Sequence, residues 1–287
     1  MGIDDFFQRM YGKYFDKLPN KALLLKRIAI EDENIPLTKD GLDKVQWAYL
    51  CAVPFENLDL YDYGVTLDFG INELFEKIVT QRRGGYCFEL NALYMALLEE
   101  LGFEVYPIGV RVLPKTEGKY IPAISHRAAI AIIDGKRYFT DVGFGLTSAP
   151  SISICIDDYS EQDILGDIFT VEDRPFNNKV IIRHTEDGPL EFFMFVPDPF
   201  NILDFIPYNT TIQAEVFWRA KRMINLRMPN GSISIDGDIF RRNIGGERTE
   251  VPLSSPDDVA TVLKKEYGMI LPDIRLCANA INTEIVM

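Results

Sequence analysis

Histidine is scarce in this sequence: His126 and His184 are the only two among 287 residues. So few imidazoles argue against a zinc cluster, and no metal is expected. Cysteine is nearly as scarce. Cys51, Cys87, Cys155 and Cys277 stand far apart, with neither the close spacing of metal ligands nor the density of a disulfide scaffold. Basic charge is also short, with 30 Lys and Arg against 43 Asp and Glu, a net charge of −13. The overall field therefore disfavours nucleic acid and anionic membranes as partners. Any anionic ligand needs a local basic or backbone-amide site. Long apolar runs are missing, and nothing approaches the ~20 residues that cross a bilayer. The first 16 residues are charged and aromatic, without the apolar core of a signal peptide. The expectation is a soluble protein of a reducing cytoplasm.

What is abundant is apolar and aromatic: 47% of residues are hydrophobic and 12% aromatic, ample for one large domain or two to three smaller ones. The chain begins helical. Asp4 and Asp5 open a predicted helix through Tyr14. A stronger one runs from Asp40, with Thr38 as N-cap and Pro54 as stop. Asn72 is placed as the cap of Glu73 to Val79, and a helix follows over Tyr86 to Leu101. Helix signals largely cease after Gly102. Phe103 to Leu113 is strand-like. Arg127 to Asp134 and Arg137 to Val142 form a predicted hairpin about Asp134-Gly135. Further strands are predicted at Ile168–Glu172, Lys179–Arg183 and Leu190–Val196. The Pro197-Asp198-Pro199 break reads as a boundary. Beyond it come a helical spacing over Ile212–Met223, short strands at Ser232–Asp236 and Asp238–Arg242, and a helix over Pro256–Glu266 capped by Ser255. Helices first, strands second and a mixed region third argue for an α+β fold rather than a doubly wound parallel sheet.

One stretch carries chemistry: Arg82-Arg83-Gly84-Gly85-Tyr86-Cys87-Phe88-Glu89-Leu90-Asn91. It sets a thiol at a helix start beside two cations, and both features favour thiolate. The glycine pair is expected to turn the backbone and leave the sulfur uncrowded. A cysteine nucleophile needs a base, and the base an orienter. His184 lies in a polar turn. His126 opens an apolar strand, where its ring can face a cleft. A symmetric turn at Asp134-Gly135 pairs positions summing to 269, which sets His126 opposite Gly143 and Asp141 on the adjacent diagonal, on the same face as Gly143. Cys87, His126 and Asp141 are thus the candidate nucleophile, base and orienter. An acyl group would pass through a Cys87 thioester, with nearby backbone N–H groups stabilising the oxyanion.

These segments resemble a known family. Val53-Pro54-Phe55-Glu56-Asn57-Leu58, the Cys87 stretch, Ser125-His126 and Asp141-Val142-Gly143-Phe144-Gly145 are similar, in order and spacing, to the motifs of arylamine N-acetyltransferases. The resemblance implies an N-terminal helical bundle, a central antiparallel β-barrel and a C-terminal α/β lid, placed here at residues 1–101, 102–199 and 200–287. It implies a papain-like Cys-His-Asp triad of Cys87, His126 and Asp141. It implies acetyl-CoA as donor and arylamines, arylhydrazines or N-hydroxyarylamines as acceptors, a ping-pong transfer suited to xenobiotic metabolism. By motif match Phe55, Phe144 and Phe217 would wall the acceptor pocket, and Gly145 would lie beside the CoA thiol arm. Arg219, Lys221, Arg222, Arg227, Arg241 and Arg242 are candidates for the CoA phosphates.

The sequence departs from the family pattern at Leu90 and Leu146, and at residues 209 to 216, which lack a Ser-Pro stretch. None of these is a candidate catalytic position. Competing readings are an amide synthase or a thiol hydrolase using the same triad, and a silent binding protein that kept the fold.

Overall fold

The computed structural model describes residues 17–64, 70–113, 122–215 and 219–269. The helix expected near the N-terminus, the tail from Pro272 and Cys277 lie outside them.

Helix α1 (Lys21–Arg27) is capped by Asn20, and α2 (Lys39–Ala52) by Thr38, whose hydroxyl accepts from the Gly41 N–H at 3.2 Å. Pro54 follows and the chain straightens into β1 (Phe55–Glu56), then the short α3 (Leu58–Tyr61). The next helix differs from expectation. It begins at Gly70 rather than Asn72, runs as α4 (Ile71–Phe75), and widens into a π-helical turn at Glu76–Thr80. Helix α5 (Cys87–Leu101) is the central one. Its first twelve residues, Cys87 to Leu98, are all buried. That apolar wrapping belongs to a helix enclosed on every side, and α5 packs against α4, β2 and β3. Gly102, at φ 98°, ends it in the left-handed conformation glycine tolerates.

The strand block is an eight-stranded antiparallel sheet in the order β5-β4-β3-β2-β9-β8-β7-β6. It comprises β2 (Glu104–Val112), β3 (His126–Ile133), β4 (Lys136–Thr140), β5 (Ile154–Cys155), β6 (Gln162–Ile164), β7 (Asp167–Arg174), β8 (Asn178–Thr185) and β9 (Gly188–Phe195). Edge strands β5 and β6 are joined by a side chain. Gln162 accepts from the Cys155 N–H at 2.9 Å and donates to the Cys155 carbonyl at 2.8 Å, so the sheet is a nearly closed barrel. Ile130, Phe139, Phe169, Ile181, Phe193 and Phe195 fill its interior. The β3–β4 hairpin has the expected register: Ile133 pairs with Lys136 and Ala129 with Thr140. Asp134 and Gly135, at φ 50° and 74°, close it as a turn with two left-handed residues.

The third region departs most from expectation. The helix lies earlier, at α6 (Phe205–Ala214), and Met223 starts a strand. Four strands follow: β10 (Met223–Met228), β11 (Gly231–Asp236), β12 (Ile239–Ile244) and β13 (Glu247–Pro252), then α7 (Pro256–Tyr267) capped by Ser255. They form a second sheet whose first strand is β1, paired antiparallel with β10 through Phe55–Asn225 and Glu56–Ile224. Phe55–Glu56 is therefore a strand joining early and late parts of the chain, although the composition of Pro54 to Leu58 reads as a turn.

Candidate active site

Three polar side chains converge where α5, β3 and the loop after β4 meet. Cys87 is the first residue of α5, His126 the first of β3, and Asp141 follows the last of β4. His126 Nε2 lies 2.8 Å from Asp141 Oδ2. That leaves Nδ1 as the ring nitrogen not held by the carboxylate; Cys87 lies near enough to raise the ring's pKa, and its sulfur is 4.0 Å from the Ser125 carbonyl. All three are buried, at 3% exposure for Cys87, 2% for His126 and 3% for Asp141. Burial pulls the imidazole's pKa down. The charge and hydrogen bond of Asp141, with those of Cys87, outweigh it and push the ring up to about 10. His126 also stacks on Phe193, 5.5 Å between centroids and 2° between planes, and meets Phe144 edge-on at 5.8 Å. The packing fixes the ring, and the bond to the carboxylate at Nε2 leaves Nδ1 as its other nitrogen.

The carboxylate is itself held. Asp141 Oδ1 accepts from Asn91 Nδ2 at 2.8 Å and from the Gly143 N–H at 2.8 Å. Asn91 also donates to the Arg127 carbonyl at 2.5 Å and accepts from the Val142 N–H at 3.0 Å. Gly143 is glycine for lack of room: a Cβ there would stand 2.5 Å from Asn91 Nδ2 and 2.7 Å from Cys87 Cα.

The residues before Cys87 behave otherwise than the sequence suggested. Gly84 and Gly85 do not supply the turn; the left-handed residue is Arg82, at φ 54°. They permit close approach to β1. A Cβ on Gly84 would meet the Pro54 carbonyl at 2.0 Å, and the Glu56 N–H donates to the Gly85 carbonyl at 2.8 Å. Nor does Cys87 stand open: it is 3% exposed, and Gly143 packs against its backbone. Arg83 binds Glu56 at 2.7 Å and Asp59 at 2.8 Å, within a buried cluster completed by Lys77 and Glu89. Glu89 in turn accepts from the Tyr86 N–H at 3.0 Å, fastening the helix start. Besides His126, the cation whose charge interacts with Cys87 is Arg127, next to His126 and buried. Desolvation pushes its pKa down to about 9 against the pull of Cys87. No group of metal-binding side chains occurs among the described residues.

The model of the N-acetyltransferase family matches residues 38–275, most of the chain. The chain belongs to the arylamine N-acetyltransferase family. Human arylamine N-acetyltransferase 1 is 26% identical over 271 residues, covering 86% of this chain and 93% of its own. The arylamine N-acetyltransferase of Mycolicibacterium smegmatis is 42% identical over 97 residues, covering 33% and 35%. The solved arylamine N-acetyltransferase of Salmonella typhimurium superposes with a TM-score of 0.82 at 21% identity, over 91% of this chain and 94% of that one, and so has the same fold. The family makes this protein an acyltransferase, on a mixed α and β fold with a nearly closed eight-stranded barrel.

Phe55 and Phe144 line a small, partly open cavity together with Asp141, Val142, Gly145 and Arg227; Cys87 and His126 are not among its lining residues. Gly145, at φ 77°, rests on Phe55, whose ring a Cβ there would meet at 2.4 Å. Phe217 lies outside the described residues. His184 is exposed, 2.9 Å from the Thr170 hydroxyl. Most of the basic candidates for CoA phosphates are engaged by acids. Arg222 binds Asp62 and Asp238, Lys221 binds Asp236, Arg241 binds Asp236 and Glu250, and Arg242 binds Glu266. Arg219 donates to the Gln213 carbonyl. No helix among the described residues is long and apolar enough to cross a membrane. Asn91, Glu89 and Arg127 went unassigned in the sequence. Asn91 carried a signal, since it lies one helical turn beyond Cys87 and so shares its face.

Proposed function

We propose that the protein transfers an acetyl group from acetyl-CoA to an arylamine, arylhydrazine or N-hydroxyarylamine by a ping-pong route through Cys87. The reading rests above all on His126, bonded to Asp141 at 2.8 Å, close to Cys87, and pushed up to about 10. An imidazolium that holds its proton at neutral pH is the counter-ion for a thiolate. In the first half-reaction the Cys87 sulfur attacks the acetyl carbonyl. The tetrahedral intermediate collapses with cleavage of the carbonyl–sulfur bond to CoA, and the departing thiolate takes the His126 proton. In the second, the amine nitrogen attacks the Cys87 thioester, His126 accepts its proton, and the Cys87–acetyl bond breaks to give the amide. Asp141 keeps the ring in the orientation both steps use.

Burial of Cys87 fits a transferase. A thioester on a covered sulfur is shielded from water, so transfer to the amine outpaces hydrolysis. Phe55 and Phe144 give an aromatic acceptor apolar walls at low entropy cost. The test is intact-protein mass spectrometry after mixing with acetyl-CoA alone, then adding aniline. The expected result is a gain of one acetyl group on the Cys87 peptide, lost on adding aniline with formation of acetanilide. An unlabelled protein that still makes acetanilide refutes the covalent route. Acetyl-CoA hydrolysed at the same rate with and without aniline points instead to a thiol hydrolase.

A further inference from the structure

The residue before Asp141 is fastened as firmly as Asp141 itself. Thr140 ends β4 and is fully buried. Phe139 turns into the barrel, so by the alternation of a strand Thr140 turns out of it, towards α2 and α5. Its hydroxyl lies 2.7 Å from Gln46 Oε1 in α2 and 2.7 Å from the Tyr94 hydroxyl in α5. Gln46 Nε2 donates to the Pro150 carbonyl at 3.2 Å. Tyr94 also meets Tyr49 of α2 edge-on, 5.6 Å between centroids. Gln46, Thr140 and Tyr94 are each 0% exposed.

The hydrogens in this chain have one arrangement. The Pro150 carbonyl can only accept, so the Gln46 amide turns Nε2 to Pro150 and Oε1 to Thr140. Thr140 must donate to that oxygen, which uses its single hydrogen. Tyr94 must therefore donate to Thr140. Burial pushes the Tyr94 phenol up, so the donor keeps its proton. Hydrogen bonds aligned in one direction polarise one another, and a buried chain with every link made is rigid.

The chain reaches the site through α5. Cys87, Asn91 and Tyr94 are spaced by four and three residues and share one helix face. From that face Asn91 holds the Asp141 carboxylate, and Tyr94, one turn further, holds the residue before it. On α2, Asp43 lies one turn from Gln46 and accepts from the Ser153 N–H at 2.9 Å. The segment from Asp141 to Ser153 is thus fastened at its start by α5 and at its far end by α2. The Thr140 hydroxyl bonds to both helices at once.

We propose that Thr140 is a positioning residue for the acyl transfer: its hydroxyl locks the end of β4 between Tyr94 and Gln46 and so sets the Asp141 carboxylate against His126. For its effect on rate the proposal rests on the acyl-transfer reading above; its effect on the Cys87 thiol does not need that reading.

Three variants test it, each checked for folding by circular dichroism. Thr140→Val keeps the shape and removes both bonds, Thr140→Ser keeps the hydroxyl, and Tyr94→Phe removes the tie to α5 alone. The first readout is the pH profile for iodoacetamide on the Cys87 peptide. The second is kcat and KM with acetyl-CoA and aniline. In folded Thr140→Val the imidazolium is held less well, so the alkylation midpoint should rise by about one pH unit. Its kcat should fall about ten-fold with little change in KM for aniline, the effect of a misaimed base. Thr140→Ser should keep the wild-type midpoint and rate, and Tyr94→Phe should lie between. A loss of stability alone lowers the folded fraction but leaves the midpoint of the folded protein in place. An unmoved midpoint in Thr140→Val, or a Thr140→Ser as impaired as Thr140→Val, would overturn the proposal. Should Thr140→Val fail to fold, Tyr94→Phe decides it, and a wild-type midpoint there also overturns it. A wild type that does not acetylate aniline would count against the transfer reading alone, and the alkylation profiles would still decide the role of Thr140.

Discussion

The Asn91 side chain reaches Asp141 across the interior, Nδ2 donating to Oδ1 at 2.8 Å, so the helix that carries the thiol also aims the carboxylate. The same amide group ties down the Arg127 carbonyl and the Val142 N–H. Asn91→Ala strips these partners at once from a fully buried site. Stability should fall by about 1–3 kcal/mol, since a buried group without its partner bears the full desolvation cost. Acetyl transfer should fall at least about ten-fold, in kcat more than in KM, because the imidazole loses its fixed orientation while the acceptor walls stay in place. Urea unfolding and steady-state kinetics check both. A variant as stable and as fast as wild type would remove Asn91 from the positioning of Asp141.

The raised pKa of His126 makes a prediction with a definite sign. Its folded value is about 10, against an ordinary 6.5. The folded state therefore binds this proton more tightly than the unfolded chain does. The resulting stability is present in full below about pH 6.5 and is lost as pH rises through about 10. Subtracting the unfolding free energy of His126→Gln from that of wild type should give a difference that is level at acid pH and shrinks between pH 6.5 and 10. A difference that grows over that window would contradict an imidazolium held by Asp141. The same variant should need a higher pH for iodoacetamide to alkylate Cys87, read peptide by peptide because Cys51 and Cys155 are also free thiols.

Gly143 sets the distance between the Asp141 loop and the nucleophile. In Gly143→Ala the new methyl would stand 2.7 Å from Cys87 Cα and 2.5 Å from Asn91 Nδ2, closer than atoms pack. Overpacking of this kind typically costs about 1–3 kcal/mol. The loop must also back away from Cys87, so transfer should drop more than stability explains. Gly135→Ala is the control. Its Cβ meets nothing within 4 Å, although φ is +74°, so it should cost stability through backbone strain and leave the acetylation rate of the folded enzyme alone. Thermal melts and single-turnover acetylation separate the two effects.

The parts of the site legible in the sequence were those fixed by local rules. Asp134-Gly135 admits a tight turn, and the turn dictates the register that brings Asp141 to His126. Thr38 and Ser255 announced their helices by cap chemistry alone. What went unread depends on contacts distant in the chain. Residues 54–58 look like a loop until β10, nearly 170 positions later, supplies their hydrogen-bond partners, as the Asn57–Met223 bond illustrates. The Met223–Met228 segment does alternate, buried Ile224 and Leu226 between half-buried Met223, Asn225 and Arg227, but the helical spacing of the residues before it obscures where the strand starts. The Gly84-Gly85 pair read as a flexible turn because composition cannot reveal that Pro54 and Glu56 press against it.

Arg83 provides the sharpest contrast between sequence and structure. Beside Cys87 in the chain, it invites assignment as the cation that stabilises a thiolate. Its guanidinium instead holds Glu56, whose side chain is fully buried, and Asp59, while Lys77 holds Asp59 and Glu89 at 2.6 and 2.7 Å. Arg83→Met would leave the buried Glu56 carboxylate only Lys77, at 4.0 Å, as a cationic partner. A loss of roughly 3–5 kcal/mol is expected in urea unfolding, the usual cost of breaking one half of a buried ion pair. Arg83→Met combined with Glu56→Gln should recover part of it, since no uncompensated charge then remains at that position. The pH profile for alkylating Cys87 in the folded fraction of Arg83→Met should match wild type. A profile displaced to higher pH would return Arg83 to the thiol and show that the ion-pair cluster is not its main office.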